Sequence, residues 1–451
     1  MSTFAFRRLS IPILFLICLA LVNLGRTPAA EAQDTLHINI YGPGQSKLNI
    51  YLAPPRALQF SGNGAKVEPF RELKDVLSHD LGFLPFFKQV AGENILGGPE
   101  LEGVKAEQID FKRFKMSQVD ILVSLGWRPR EEGLGQAELR AYEVYSGELI
   151  LGRGYVLAEK QQIAEAANRF CGDLMEEVTG RSGFFRSELA FARKKDGSKQ
   201  ICMSAPQGHN FRQITDLNGV CMSPAWSWNG RFLAFTHVTD ERHELLIWNR
   251  DKEELKRAFL PGNTIISPTF RPDGKLAISV DPKGNPDIYF LDSDWRLGEA
   301  IIRNWSIDIS PQFDSQGDKM VFVSSRLGNP HIFLRDFEKG NVKRISFEGT
   351  YNTNPSISPD GRFVAYSRLT ENGHRVVVHD LKNGEERQVT QGPGNDEDPA
   401  WGPDSYFLAF SSDRSGKYRI YVTTRHGDEP MLIPTGEGIF TSPAWNPKVP
   451  D

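Results

Sequence analysis

One short phrase recurs six times at nearly constant spacing in the second half of this 451-residue chain. In each copy, an aromatic residue or isoleucine stands two positions after a proline, and a turn follows that is usually rich in Gly and Asp. The copies are Ser223-Pro224-Ala225-Trp226, Ser267-Pro268-Thr269-Phe270, Ser310-Pro311-Gln312-Phe313, Asn354-Pro355-Ser356-Ile357, Asp398-Pro399-Ala400-Trp401 and Ser442-Pro443-Ala444-Trp445. Their prolines are 44, 43, 44, 44 and 44 residues apart. A period in the forties, with four short strand-like runs in each unit, is typical of a β-propeller.

The two ends of this array predict how the ring closes. The run Leu189-Ala190-Phe191 lies 44 residues before the equivalent run at Leu233, so the first unit lacks an inner strand of its own. The orphan copy Ser442–Trp445 supplies that strand, and pairing the first and last strands leaves no open edge. We therefore predict an all-β six-bladed propeller over residues 184–451, in which each proline phrase opens the inner strand of a blade.

Residues 47–180 show a mixture of strand and helix patterns instead. Alternating and unbroken apolar runs predict strands, and apolar residues at helical spacing predict helices that end at Gly82 and Gly180. The predicted elements are strands at 48–52, 119–125, 137–144 and 148–157, and helices at 70–81 and 161–178. We predict a small α/β domain here, and its sequence contains no glycine-rich phosphate-binding loop.

The first 32 residues have the pattern of an export signal. Arg7 and Arg8 precede an apolar run from Leu9 to Leu24, and Ala30-Glu31-Ala32 has the small-x-small pattern that signal peptidase cleaves. We predict cleavage after Ala32 and an exported mature chain, with an uncleaved anchor as the alternative. Nothing later in the sequence is apolar enough to span a bilayer.

Charge and cysteine content argue against two further classes of protein. Without residues 1–32, which carry three arginines and one glutamate, the formal net charge changes from −4 to −6, which disfavours binding to nucleic acids or anionic membranes. The remaining cysteines are Cys171, Cys202 and Cys221, an odd number without a disulfide framework. Buried thiols are the favoured interpretation. A bridge between Cys202 and Cys221 is the alternative, although these residues fall on different predicted blades.

The sequence lacks the common motifs of catalysis and metal binding. It contains no G-x-S-x-G nucleophile turn, no HExxH and no CxxC. We therefore predict no catalytic residue, no cofactor and no metal. The alternative is a calcium-dependent propeller hydrolase, in which acids from different blades converge at the channel mouth. These acids are Asp216, Asp308, Glu397 and Glu437.

The direction of the chain assigns the propeller loops to faces. If the inner strands run down the channel wall, the loops that enter them emerge on the same face as the loops between second and third strands. This face, which also carries Tyr351, is predicted to have an exposed tryptophan surrounded by arginine and amide side chains, a composition typical of binding hot spots. The candidate partner-binding residues are Thr264, Arg303, Asn304, Trp305, Arg326, Asn352, Thr353, Arg368, Asp396, Glu397 and Arg414.

The sequence resembles a known family. The junction Glu177–Phe185 (EVTGRSGFF), which stands directly before the first half-blade, and the six proline phrases are similar to those of the TolB family, the periplasmic component of the Tol-Pal envelope system. The similarity covers essentially the whole chain after residue 32. It implies an α/β domain followed by a six-bladed propeller, a periplasmic location, no enzymatic activity and no cofactor.

The resemblance also implies two protein partners. In that family the propeller face at the channel mouth binds the peptidoglycan-associated lipoprotein Pal, and the N-terminus of the mature chain binds TolA. The system supports outer-membrane integrity and constriction at division. Here the TolA-binding stretch corresponds to a segment at 33–46, expected to be mobile, with an apolar stripe of Leu36, Ile38 and Ile40. It departs from the family at Tyr41-Gly42-Pro43-Gly44, and the alternative is that residues 36–40 form the first strand of the α/β domain.

Overall fold

The computed structural model describes residues 47–58 and 67–448, which belong to one compact unit spanning Asn39–Asp451. The export signal, its cleavage site after Ala32, and the segment 33–46 with Leu36, Ile38 and Ile40 lie outside the described residues. In the described part, no helix has both the length and the apolar character needed to cross a membrane.

The N-terminal part of the described chain is a six-stranded mixed sheet. Its strands are β1 (Leu48–Leu52), β2 (Arg56–Ala57), β3 (Phe87–Gln89), β4 (Ile121–Arg128), β5 (Gly135–Glu143) and β6 (Leu149–Leu157). They lie in the order β3-β1-β4-β5-β6, with β2 beside β4. β1 is parallel to β3 and β4, whereas β4, β5 and β6 are antiparallel. All of β4 except Arg128 is buried, as expected for a central strand covered on both faces.

This sheet region contains three helices, two of them long. The helices are α1 (Glu68–Leu81), α2 (Phe111–Met116) and α3 (Gln161–Thr179), and short 3-10 turns span Gly92–Asn94 and Ala106–Gln108. α1 buries Phe70, Leu73 and Leu77 at helical spacing, and it packs against α3, which also contacts β6. α3 ends at Gly180, whose left-handed φ of 66° costs glycine little. The predicted α/β character of this region is confirmed, with shifted element ends.

The remaining strands form five sheets arranged as a β-propeller. Four sheets have four strands each and follow one another along the chain. They are β14 (Ile265–Phe270), β15 (Leu276–Val280), β16 (Asp287–Leu291) and β17 (Leu297–Ile302); β18 (Asp308–Phe313), β19 (Lys319–Ser324), β20 (His331–Asp336) and β21 (Asn341–Arg344); β22 (Asn352–Ile357), β23 (Phe363–Thr370), β24 (Gly373–Asp380) and β25 (Glu386–Gln388); β26 (Asp396–Trp401), β27 (Phe407–Ser412), β28 (Arg419–Thr424) and β29 (Met431–Leu432).

The fifth sheet has eight strands and departs from the prediction of six separate blades. Its strands are β7 (Leu189–Lys195), β8 (Ser198–Ser204), β9 (Arg212–Gln213), β10 (Val220–Trp226), β11 (Phe232–Val238), β12 (His243–Asn249), β13 (Glu254–Ala258) and β30 (Ile439–Trp445). Two repeats share this sheet because Val220 of β10 pairs with Lys199 of β8 in a parallel bridge. The propeller is therefore confirmed, while hydrogen bonding divides it into four separate blades and one double sheet.

Every inner strand carries a β-bulge at its proline phrase. The residue before the proline has a φ between 52° and 57° in all six copies, a left-handed conformation that non-glycine residues rarely adopt. The pairing with the second strand shifts register at the same place in each case. A bulge accommodates proline because proline has no N–H to donate to the ladder. The prediction that the phrase opens the strand is wrong, since the strands begin earlier, as at Asp308 before Ser310.

The C-terminal strand pairs with the first propeller strand, as the sequence predicted. β30 lies antiparallel to β7, with Trp445 opposite Leu189. The Trp445 indole N–H also donates to the hydroxyl of Ser187 at 2.5 Å. Residues from all six proline phrases line one narrow cavity of about 130 Å³, so the inner strands surround a common axis.

Apolar side chains fill the spaces between consecutive sheets. One such cluster joins Val321 and Ile332 of one blade to Val364 and Tyr366 of the next. In the described residues, the three cysteines are buried free thiols. The favoured interpretation of the cysteines is confirmed, and the Cys202–Cys221 bridge is not formed.

Candidate partner-binding face

Two neighbouring blades present six exposed apolar side chains on one face of the propeller. Three belong to the blade β18–β21 and three to the blade β22–β25, in or beside the loops that enter the inner strands or leave the second strands. They are Trp305, Ile307, Leu327, Phe347, Tyr351 and Leu369, and they are called the apolar rim below. Trp305 is 73% exposed and Phe347 is 69% exposed. Large apolar side chains gathered on a protein surface typically mark an interaction site.

A well-ordered loop presents Trp305. The side-chain oxygen of Asn304 accepts hydrogen bonds from the backbone N–H of Ser306 at 2.7 Å and from its hydroxyl at 2.5 Å, and the Asn304 amide donates to Asp308. The amide of Asn285 donates to the carbonyl oxygen of Trp305 at 2.7 Å. These bonds fix the backbone around Trp305, so the loop loses little backbone freedom when the indole meets a partner.

Arg326 and Arg414, two repeats apart, make equivalent contacts below the surface. The guanidinium of Arg326 donates to Asp308 at 3.0 Å and to the hydroxyl of Ser324 at 2.8 Å. That of Arg414 donates to Asp396 at 2.8 Å and to a serine hydroxyl at 3.0 Å. Both aspartates are fully buried and both arginines are half-buried. The pairs therefore hold the loops between the second and third strands and leave little free charge at the surface.

Arg368 occupies a deeper position than the other two arginines. It faces Asn352 across the pairing of β22 and β23, and both residues are buried. The Arg368 guanidinium donates to Glu348 at 2.8 Å, to the hydroxyl of Tyr366 at 2.8 Å, and to Glu386. Arg368 is thus the buried centre of a network that joins three strands of one blade, through the exposed Glu348, to the loop carrying Phe347.

Electrostatic interactions keep Arg368 and Glu386 of this network ionised. Burial raises the pKa of Glu386, but His379, Tyr366 and Arg368 outweigh burial and lower the pKa of Glu386 to about 2. Burial and the neighbouring Glu386 carboxylate raise the pKa of Tyr366 above its usual range. At neutral pH, Arg368 and Glu386 therefore form an ion pair bridged by a neutral tyrosine.

The predicted binding residues lie at three depths. Arg303 and Trp305 are exposed. Six others are half-buried: Thr264, Asn304, Arg326, Thr353, Glu397 and Arg414. The remaining three are buried: Asn352, Arg368 and Asp396. These three lie beneath the loops of the predicted face, because each stands at the start of an inner strand or near the end of a second strand.

Sequence reasoning missed most of the apolar rim. The missed residues are Ile307, Leu327, Phe347 and Leu369. Each stands within a few residues of a strand end, where an apolar side chain usually packs into the core. A comparison of equivalent positions in the repeats could have indicated Leu327. Arg326 is followed by Leu327, whereas the equivalent Arg414 is followed by the polar Ser415.

The acids of the alternative enzyme hypothesis are spread over different environments. Asp216 and Glu437 are exposed, and Asp308 is paired with an arginine. Glu397 accepts a hydrogen bond from the hydroxyl of Tyr418 at 2.5 Å. In the part of the chain that the structure describes, no three of these four acids come within metal-binding distance of one another.

Comparisons with known proteins agree on one family. The family described as TolB beta propeller domain matches residues 175–449. The Tol-Pal system protein TolB of Nitratidesulfovibrio vulgaris is 42% identical over 303 residues, which cover 66% of this chain and 67% of that protein. The protein of the same name from Desulfosudis oleivorans is 33% identical over 279 residues, covering 62% of this chain and 63% of that protein. The crystal structure of TolB from Acinetobacter baumannii has the same fold, with a TM-score of 0.77 at 21% identity over 92% of this chain and 100% of that one. The chain therefore belongs to the TolB family, a non-enzymatic component of the Tol-Pal system.

Proposed function

We propose that this chain is a periplasmic scaffold of the Tol-Pal system that binds Pal through its propeller and TolA through the segment 33–46. In this role it supports outer-membrane integrity and constriction at cell division. Membership of the TolB family supports the Tol-Pal assignment. The single observation that carries the Pal part is the apolar rim on two neighbouring blades.

The rim has the construction of a protein-binding hot spot. Trp305 projects from a loop fixed by hydrogen bonds, and the exposed Arg303 stands beside it. Tryptophan and arginine are the residue types that most often dominate binding energy at protein interfaces. The paired Arg326 and Arg414 and the buried Arg368 network shape the loops, so we assign them support of the rim instead of direct contact with Pal.

We further propose that the ring acts as six blades. The two halves of the eight-stranded sheet meet at one residue pair, Val220 and Lys199, whereas β10 and β11 pair through five residues and β11 and β12 through seven. The common cavity lined by all six proline phrases supports the same interpretation. In this arrangement β30 is the inner strand of the first blade.

Calorimetry with purified Pal tests the binding face. We expect Trp305→Ala to weaken Pal binding about 30-fold or more, because a central aromatic residue typically contributes about 2 kcal/mol or more. Phe347→Ala tests the neighbouring blade. Leu432→Ala is the matched control, since Leu432 is an exposed leucine on the outer strand of another blade. Pal affinity that is unchanged in both rim variants, or lost equally in the control, would contradict the assignment.

The TolA part is tested on the N-terminal segment. A variant that starts at residue 47 is expected to lose TolA binding and to keep Pal binding, because the two partners use different parts of the chain. Mass spectrometry of periplasmic protein should find Gln33 as the first residue, as the pattern Ala30-Glu31-Ala32 predicts. Full TolA affinity in the shortened variant, or an exported protein that retains Met1, would be incompatible with this part of the proposal.

A further inference from the structure

Two histidines and an aspartate meet where α1 contacts the loop between β8 and β9. His79 and Asp80 lie in the last turn of α1, and His209 lies in the loop. One potential ligand atom from each residue lies within 4.8 Å of the other two. His209 Nε2 is 2.8 Å from Oδ1 of Asp80. The centres of the His79 and His209 imidazole rings are 5.6 Å apart.

Asp80 stands in an unfavourable place for an isolated carboxylate. Its side chain is fully buried, and its second oxygen, Oδ2, has no hydrogen-bond partner among the described residues. Burying a carboxylate with one contact is costly unless a positive charge compensates it. Asp80 also lies at the C-terminal end of α1, where the helix dipole disfavours anions and favours cations. Both features mean that a cation beside the Asp80 carboxylate would be stabilising.

We propose that His79, Asp80 and His209 bind a divalent cation of the zinc class, with water as the fourth ligand. Two imidazole nitrogens and one carboxylate oxygen form a donor set that Zn²⁺ takes in tetrahedral sites. With metal–ligand bonds of about 2.0 to 2.1 Å, ligand atoms in such a site are about 3.3 Å apart. The 2.8 Å contact between His209 Nε2 and Asp80 Oδ1 would have to open slightly, and the ligand atom of His79, which lies within 4.8 Å of the other two, completes the set.

The surroundings of His79 resemble those of a metal-bound histidine. His79 Nε2 lies 3.0 Å from the carbonyl oxygen of Gln207, so a cation bound at Nδ1 would leave this hydrogen bond intact. Metal-ligating histidines typically donate their second N–H to such an acceptor, which fixes the tautomer and the ring orientation. Gln207 is buried, and its side chain donates to Asn168 of α3. The site is thus connected to both long helices and to the first propeller strands.

The sequence alone did not indicate this site. Asp80 and His209 are 129 residues apart, and no spacing motif joins them. A cation that binds only the folded protein stabilises it through mass action. Here that stabilisation would act on the contact between α1 and the β8–β9 loop.

Titration of the metal-stripped protein with Zn²⁺, followed by calorimetry, tests the proposal. We expect one equivalent of Zn²⁺ to bind and the midpoint of thermal unfolding to rise. His79→Gln is expected to weaken Zn²⁺ binding at least tenfold and to fold like the parent, because His79 is exposed. His243→Gln is the matched control, since it removes a histidine of β12 outside the cluster and should leave Zn²⁺ affinity unchanged.

Titration with Co²⁺ gives a readout that does not depend on variant stability. The intense visible absorption of four-coordinate Co²⁺ is expected for the parent protein. Failure of the parent to bind Zn²⁺, equal affinity in the parent and in His79→Gln, or only the weak absorption of a six-coordinate surface ion would each overturn the proposal.

Discussion

At the scale of single residues, the pair Arg368 and Glu386 should make stability depend on pH. The pKa of Glu386 is about 2 in the folded protein, below its usual value of 4.5. A lowered pKa stabilises the fold at pH values above the unfolded pKa, and this stabilisation is lost as pH falls from about 4.5 to about 2. Glu386→Gln should therefore lower the free energy of unfolding by about 3 kcal/mol at pH 7, and the difference should vanish near pH 2. Urea titrations across this pH range measure it.

Glu348 provides the control for this prediction. It accepts a hydrogen bond from the same guanidinium at 2.8 Å, but its side chain is 76% exposed. Exposed ion pairs contribute about 0 to 1 kcal/mol, so Glu348→Gln should change stability little at any pH. Equal losses in the two variants would show that burial does not decide the strength of these pairs.

Whether a polar residue of the candidate site is exposed or buried was the property that the sequence did not reveal. Trp305 and Arg303 were correctly placed on the surface, whereas Asn352 and Arg368 are buried. A residue at the end of a strand can point toward solvent or toward a neighbouring loop, and the alternation of a strand ceases to discriminate there. The buried positions follow from loop contacts, such as that between Arg368 and Glu348, which no local pattern encodes.

At the scale of elements, β30 should be indispensable for the propeller. It pairs with β7, and its Trp445 is buried and hydrogen-bonded to Ser187. Deleting residues 441–451 removes most of this strand and exposes the edges of two neighbouring repeats. Loss of a buried tryptophan alone typically costs about 3 to 5 kcal/mol, so the deletion should destabilise the protein by about 5 kcal/mol or more. Thermal unfolding measures this loss.

A shorter deletion separates the strand from the tail that follows it. Removal of residues 449–451 leaves β30 complete and should change stability by less than about 0.5 kcal/mol. If the 441–451 deletion unfolded at the same temperature as the parent, β30 would not be what closes the ring.

The inner strands show what a repeat can and cannot reveal. The period of the proline phrase predicted the propeller and the correct partner for the last strand, but it did not predict that two repeats share one sheet. The bulge escaped detection because the residue before a proline ordinarily prefers extended backbone, whereas Ser310 and its equivalents are left-handed. Pairing with the second strand imposes this conformation, so it is a tertiary effect that local preference opposes.

At the scale of the whole molecule, contacts between the α/β sheet region and the propeller were the least predictable part of the structure. Phe184, which is fully buried, illustrates this. The centre of its ring is 6.4 Å from the ring centre of Phe83, which lies beside α1. On the propeller side, it is 4.3 Å from the ring centre of Phe407 and 6.0 Å from that of Trp445. Phe83, Phe407 and Trp445 are far apart in the chain, and the local sequence does not distinguish any of them from an ordinary core residue. Only the folded chain shows that one aromatic residue joins three elements.

Phe184→Ala should therefore weaken the coupling between the two parts of the molecule. Replacing a buried phenylalanine with alanine typically costs about 3 to 5 kcal/mol, and here the cavity would lie between the α/β sheet and the propeller. We expect the parent to unfold in urea in one transition and the variant in two, because each part keeps its own core. Phe347→Ala, which removes a ring that is 69% exposed, should keep a single transition. A single, merely shifted transition in Phe184→Ala would show that other contacts suffice to make the two parts unfold together.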